Sequence, residues 1–334
     1  MKKHFLQIDI LKCAAIVAVI ALHSLTKTEL VSTYAIYHIW QAVPVFMILM
    51  GINLGLGLRK ENQQVDLLYK RIYFTKKATR IVFPFLLIFI VSVILGLLWQ
   101  QLYQRDVLRF STFTWVGVLP VSGKGNYFIT LLLQSIFILP LVGYCFYKRP
   151  VLTTLALIFL EVFFLVICKH YELVQTDDAE YLYSAALPRY FSAFAFGLWL
   201  AKAIKQQMKF TTLFAFAVPA ALSITYLYFI IYGSLHLPFI YESWDMQNVL
   251  SFGYAALLIL VTVYFLPASS GNSILKSLAE IGSASYHIFL VQVLYFGLVK
   301  NHSNLALNLA ICLVLGYVFY KLETKLSTKY LKGS

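Results

Sequence analysis

The stretch that decides how this chain is built is IDILKCAAIVAVIALHSL, residues 8–25. It is close to the length a bilayer needs, about 20 apolar residues of helix, yet it carries Asp9, Lys12 and His23. A helix turns 100° per residue, so the step from Lys12 to His23 returns to within about 20° of the starting face, roughly 16 Å further along the axis. Asp9 lies one turn before Lys12 on the same stripe. Ionisable groups inside a spanning helix are costly unless they face protein or a wet cavity, and by default they mark function. The stripe reads as the lining of a reaction channel.

The rest of the chain repeats the apolar length. Of 334 residues, 60% are hydrophobic and 12% charged, about half the charged share of a soluble protein, and the mean hydropathy is +0.78. Apolar runs recur near 8–26, 36–58, 81–103, 126–147, 151–168, 184–203, 212–232, 248–266, 280–298 and 304–322. The expectation is an all-α polytopic membrane protein of about ten transmembrane helices. The runs use nearly the whole chain, so one transmembrane domain over 1–334 is expected, with no soluble domain.

Charge placement supports that count. With the N-terminus in the cytoplasm, the inside segments hold nineteen Lys and Arg: Lys2, Lys3, seven between Arg59 and Arg80, Lys148, Arg149, Lys202, Lys205, Lys209, Lys276, Lys321, Lys325, Lys329 and Lys332. Seven fall outside, together with Glu172, Asp177, Asp178, Glu180, Glu242 and Asp245. Cytoplasmic loops favour Lys and Arg, so both termini are expected inside. The same bias accounts for the +13 net charge without a nucleic-acid partner, and the basic loops suit anionic lipid headgroups. For the 59–80 cluster, topology and nucleotide binding both remain open.

Asp9 and Lys12 interrupt what would be a signal-peptide core, and no small-residue cleavage site follows; the segment reads as the first helix. Cys13, Cys145, Cys168 and Cys312 are dispersed and suggest packing rather than a disulfide framework. His38, His170, His236 and His302 form no ligand-spaced pair, so no metal site is expected. Matching broken helices in two halves, a frequent mark of transporters, are not visible. The connections at 104–125 and 169–183 read as polar outside loops.

The candidate functional residues are few. His23 carries an imidazole, the side-chain type that suits proton transfer to and from a hydroxyl; the plainer reading is a buried packing histidine. Lys12 either meets an anionic ligand from the cytosol or snorkels to the interface, and Asp9 either joins it in the site or simply pairs with it at i, i+3. Lys77 and Arg80, three apart, share a face and offer phosphates charge-assisted hydrogen bonds. Glu161 is deep enough to need a proton or a partner cation, which the sequence does not identify. Arg189, after Pro188, either orients a polar acceptor or anchors at the interface. His287 is a second-rank candidate.

Together these segments resemble the acyltransferase 3 family. The first helix of that family reads approximately Asp-x-Leu-Arg, ten residues, then His; here Asp9, Leu11, Lys12 and His23 stand in that pattern, with Lys for Arg. VPVFMILMGINLG is similar to the family's second helix through Val43, Pro44, Phe46 and Gly51, with Met50 for a small hydroxyl residue. Lys77-Ala78-Thr79-Arg80 resembles its basic pair before helix 3. Tyr127 in GNYF stands where the family has Trp, and Arg189, Phe194 and Gly197 fit its Arg-x-x-x-x-Phe-x-x-Gly helix. IGSASYHIFLVQ is similar to its last motif, with Gln292 in place of His.

The resemblance implies acyl transfer, most often of acetyl, from cytosolic acyl-CoA to a hydroxyl of an envelope or exported glycan. It implies His23 and Asp9 as catalytic groups, Lys12, Lys77 and Arg80 as donor-binding, and Arg189, Tyr127 and Glu161 as acceptor-binding. Acetyl-CoA would be a donor substrate, with no permanently bound cofactor and no metal. Membrane lipids, the glycan and polysaccharide-synthesis machinery are the implied partners, in a bacterial cytoplasmic membrane. An exporter of a glycan or small anion, or a non-catalytic assembly partner, would use the same intramembrane charges. A reporter active only in the cytoplasm, fused after Ser334, should be active if both termini lie inside.

Overall fold

Hydrocarbon offers nothing to a backbone N–H or C=O, so a spanning segment satisfies its own groups, as a helix does within one stretch. The computed structural model describes residues 5–58, 69–206, 210–233, 235–237, 246–299 and 304–331, and among them every regular element is helical. Lys2, Lys3, Arg59, Lys60, Lys209, Glu242, Asp245, Lys300, His302 and Lys332 lie outside the described residues. In order the helices are α1 (Leu6–Ser24), α2 (Lys27–Ser32), α3 (Ala42–Gly57), α4 (Arg71–Lys77), α5 (Phe83–Tyr103), α6 (Tyr127–Lys148) and α7 (Pro150–His170). They continue with α8 (Asp177–Ala185), α9 (Phe191–Lys205), α10 (Phe210–Tyr232), α11 (Phe252–Phe265), α12 (Ser273–Ser283), α13 (Ser285–Leu298) and α14 (Leu305–Leu331).

Each of the ten apolar runs coincides with a helix. Seven helices are long and apolar enough to cross a membrane alone, and α12 with α13, bent by 58° at a short break, makes an eighth if taken as one span. α9 and α11 have only 15 and 14 residues. The architecture is therefore multi-pass and helical with seven or eight long apolar helices, while the count of ten and the side of the termini stay expectations. Leu86, Ile90, Ile94 and Leu97 on α5 and Phe159 and Phe163 on α7 are exposed apolar side chains, the surface a lipid-facing helix presents.

Two local differences from the sequence reading have physical causes. The third helix begins at Arg71 rather than near 81, because a π turn over Ala78–Val82 joins α4 to α5. Pro84 has no N–H to return to the carbonyl of Arg80 and its ring crowds that carbonyl; a widened turn absorbs the misfit. The segment 104–125 is not a plain outside loop either. Gly117, at φ +111°, turns the chain inward, and Leu119 and Val121 are fully buried. Arg109 N–H bonds Pro120 O at 2.9 Å, and the Asn126 side chain bonds Leu119 N–H and the Ser122 hydroxyl at 3.3 and 2.8 Å. The apolar VGVLPV sequence lets this segment pack inside the bundle.

α1 lies at the centre, in contact with α3, α11, α12, α13 and α14. The most extensive helix pair is α3 with α9. A Cβ on Gly197 would lie 2.1 Å from Ile48 O, and one on Gly51 2.5 Å from Phe194 O. Membrane helices associate by such close backbone approach, since lipid provides no hydrophobic drive between them. Gly197→Leu should destabilise the bundle by about 3 kcal/mol or more. The unfolding temperature in detergent checks this against Gly57→Ala, where nothing lies within 4 Å and no change is expected.

Candidate active site

His23 sits in the last turn of α1, half-buried. Its Nε2 faces Gly125, whose absent Cβ would be 3.3 Å from that nitrogen and 3.5 Å from the edge of Phe289. Gly125 has φ +88°, a conformation that side chains resist, so both the backbone and the space beside the ring require glycine. Phe296 meets the imidazole edge-on at 6.0 Å, and Phe289 continues into Phe128 and Phe46 with centroids 5.1 and 6.0 Å apart. Between Phe289 and Phe296 on α13 lies Gln292, fully buried, with Nε2 donating to Lys124 O at 3.2 Å. Ser24 donates to Ile20 O at 2.7 Å and accepts from Asn308 Nδ2 at 2.9 Å, while Tyr295 donates to Asn308 Oδ1 at 2.8 Å. Three helices are thus pinned beside the imidazole.

At the other end of α1, Asp9 and Lys12 form an ion pair at 2.9 Å, Asp9 nearly buried and Lys12 partly open. The pairing expected from i, i+3 spacing is present. Lys77 lies 5.8 Å from the centre of the Tyr73 ring, and Arg80 is exposed on the π turn. Tyr286 donates to Ile81 O at 3.0 Å, tying that turn to α13. Beside it, His287 Nε2 stands 3.4 Å from Glu323 Oε2, both buried. Glu323 escaped the sequence reading because it sits among Lys321, Lys325 and Lys329, where a carboxylate reads as solvated.

Arg189, Glu161 and Tyr127 come together in a third cluster. Arg189 and Glu161 are fully buried, which removes the interfacial-anchor reading of Arg189. The guanidinium lies over Tyr183 at 4.4 Å and near Tyr190 at 5.3 Å. Glu161 Oε2 accepts from the Ser192 N–H and hydroxyl at 2.7 and 2.6 Å, with Val249 N–H and Arg189 also close. Arg189 is the cation whose field reaches Glu161. Tyr127 hydrogen-bonds Tyr190 and lies within the field of Arg189. Since Tyr127 opens α6 just after Gly125, the head of that helix joins this cluster to His23.

The continuous channel expected along α1 is not what the structure contains. Between Lys12 and His23 the shared face is Ile16, Val19 and Ile20, at 0%, 5% and 0% exposure within the main apolar core. Helical spacing put the two polar groups on one face but did not determine what filled the space between them. Asp9 is likewise about 21 Å from His23 along the axis, so the two do not meet in one site.

The family model described as "Acyltransferase domain" matches residues 5–321, and so takes in α1 with all three polar clusters. The chain belongs to the acyltransferase 3 family. Membership implies an acyltransferase acting on a hydroxyl. No curated protein and no solved structure matches the chain.

Glu161→Leu would leave Arg189 buried without its carboxylate and should destabilise this acyltransferase by about 3 kcal/mol. Glu161→Gln can still accept from Ser192 and should cost less. Unfolding temperatures of both variants in one detergent measure the difference.

Proposed function

We propose that this acyltransferase moves an acetyl group from cytosolic acetyl-CoA to a hydroxyl of an envelope or exported glycan, in a bacterial cytoplasmic membrane. The observation that supports this best is the half-buried His23, whose Nε2 faces a turn left clear by Gly125. In this reading His23 is the general base. It takes the hydroxyl proton as the oxygen attacks the thioester carbon, the C–S bond breaks, and the proton passes to the departing thiolate. The head of α6 is close by, and the positive end of its helix dipole favours negative charge on the tetrahedral oxygen.

Lys12, held by Asp9, forms the donor-binding end with Lys77 and Arg80, whose cations suit the nucleotide phosphates. Arg189, Tyr127 and Glu161 orient the acceptor, delivered by polysaccharide-synthesis machinery. Because Ile16, Val19 and Ile20 are packed, a donor lying along α1 requires that seam to part during the cycle.

The decisive measurement is mass spectrometry of envelope glycan from cells producing wild type or His23→Ala. The acetyl increment should fall about a hundredfold or more at unchanged protein level. An exporter would instead lose glycan transport and keep the acetyl content. Arg80→Ala, at an exposed position, should raise KM for acetyl-CoA severalfold in a CoA-release assay while kcat holds.

A further inference from the structure

Gln292 is fully buried, and only one arm of its amide is used. Nε2 donates to Lys124 O at 3.2 Å, while Oε1 has neither a hydrogen-bond partner nor solvent. A backbone carbonyl only accepts, so the amide nitrogen must face Lys124 and the oxygen must point elsewhere. Residues 289, 292 and 296 share one face of α13. Phe289 borders Gly125 and Phe296 borders His23, so Gln292 lies between the two rings that wall the His23 site. An orphaned buried acceptor costs about 1–3 kcal/mol, and buried polar atoms without partners are rare. If Gln292 served only to tie down the 124–126 turn, its donor alone would suffice.

We propose that Gln292 is a substrate-binding residue of the His23 site, with Nε2 fixing the turn that carries Gly125 and Oε1 accepting a hydrogen bond from an N–H or O–H of a substrate. The assignment rests on the acyl-transfer reading. Two sources carry this chemistry: an amide N–H of the donor's pantetheine arm, and a hydroxyl of the acceptor next to the reacting one. Either would hold its substrate while His23 handles the proton of the attacking hydroxyl.

The test uses the full chain in lipid nanodiscs, with Gln292→Met as a near-isosteric apolar replacement. A rise of about five- to tenfold in KM for acetyl-CoA, at little change in kcat, supports the assignment and identifies the pantetheine N–H. Unchanged KM with a similar drop in glycan acetyl content in cells supports it and identifies the acceptor hydroxyl. Both quantities within twofold of wild type overturn it. Gln292→Glu covers the case in which the Met variant does not fold. Its neutral acid offers the same donor and acceptor, and its carboxylate loses the donor to Lys124 O. Activity should fall relative to wild type as pH rises; a constant ratio would also overturn the assignment. Binding of the unreactive S-ethyl-CoA, read as a shift in unfolding temperature, separates the two ideas. A wild type that binds this probe but releases no CoA from acetyl-CoA contradicts the acyl-transfer reading. Loss of the probe's shift on Gln292→Met still supports donor contact, and an equal shift removes that contact.

Discussion

A polar group carried into hydrocarbon must bring its own partner, and the arrangement of this bundle follows from that requirement. Asp9 and Lys12 neutralise each other within one turn of α1. Glu161 is met by Ser192 in the first turn of α9, with Arg189 just before that helix contributing its positive field. Ser24, Asn308 and Tyr295 complete one another across α1, α14 and α13. The two pairings between helices fix otherwise greasy helices at one depth and rotation, which apolar side chains specify weakly on their own. Function and assembly therefore overlap in part: Glu161 joins α7 to α9 and also belongs to the proposed acceptor site.

Much of this was legible in the sequence because helices and bilayers impose strict lengths. Ten apolar runs became ten helical regions, and the spacing of Asp9, Lys12 and His23 places them on one stripe of a helix that does form. Run length does not separate a full span from a short buried helix, so α9 and α11 looked like their neighbours. A surface in lipid and an interior are both apolar, which is why the packed Ile16, Val19 and Ile20 could not be told from a channel wall.

The site was less legible where it depends on contacts distant along the chain. Arg189, between Pro188 and Tyr190, carries the pattern of an interfacial anchor, and only the arrival of α7 with Glu161 puts it inside. Gly125 matters because of a backbone conformation and of His23, about a hundred residues away; a single glycine in a loop says neither. Gln292 looked like a departure from the family's histidine, yet it hydrogen-bonds the turn beside His23. The signal that was available at 116–121 was chemical: VGVLPV is too apolar for a solvated loop.

The 58° break between α12 and α13 has a mechanical consequence. α12 lies against α1 so closely that Gly282 meets the Asp9 carbonyl, whereas α13 is locked to α14 where Gly316 meets Ile288. The backbone bonds at the bend are kept: Ala284 N–H donates to Glu280 O at 3.1 Å and Ala284 O accepts from Ile288 N–H at 3.0 Å. Lys321 on α14 bonds Glu280 on α12 across the bend, and Asn308 on α14 bonds Ser24 on α1, so the helices on both sides of it are tied together. The elbow therefore acts as a brace, coupling the Asp9 end of α1 to the C-terminal hairpin.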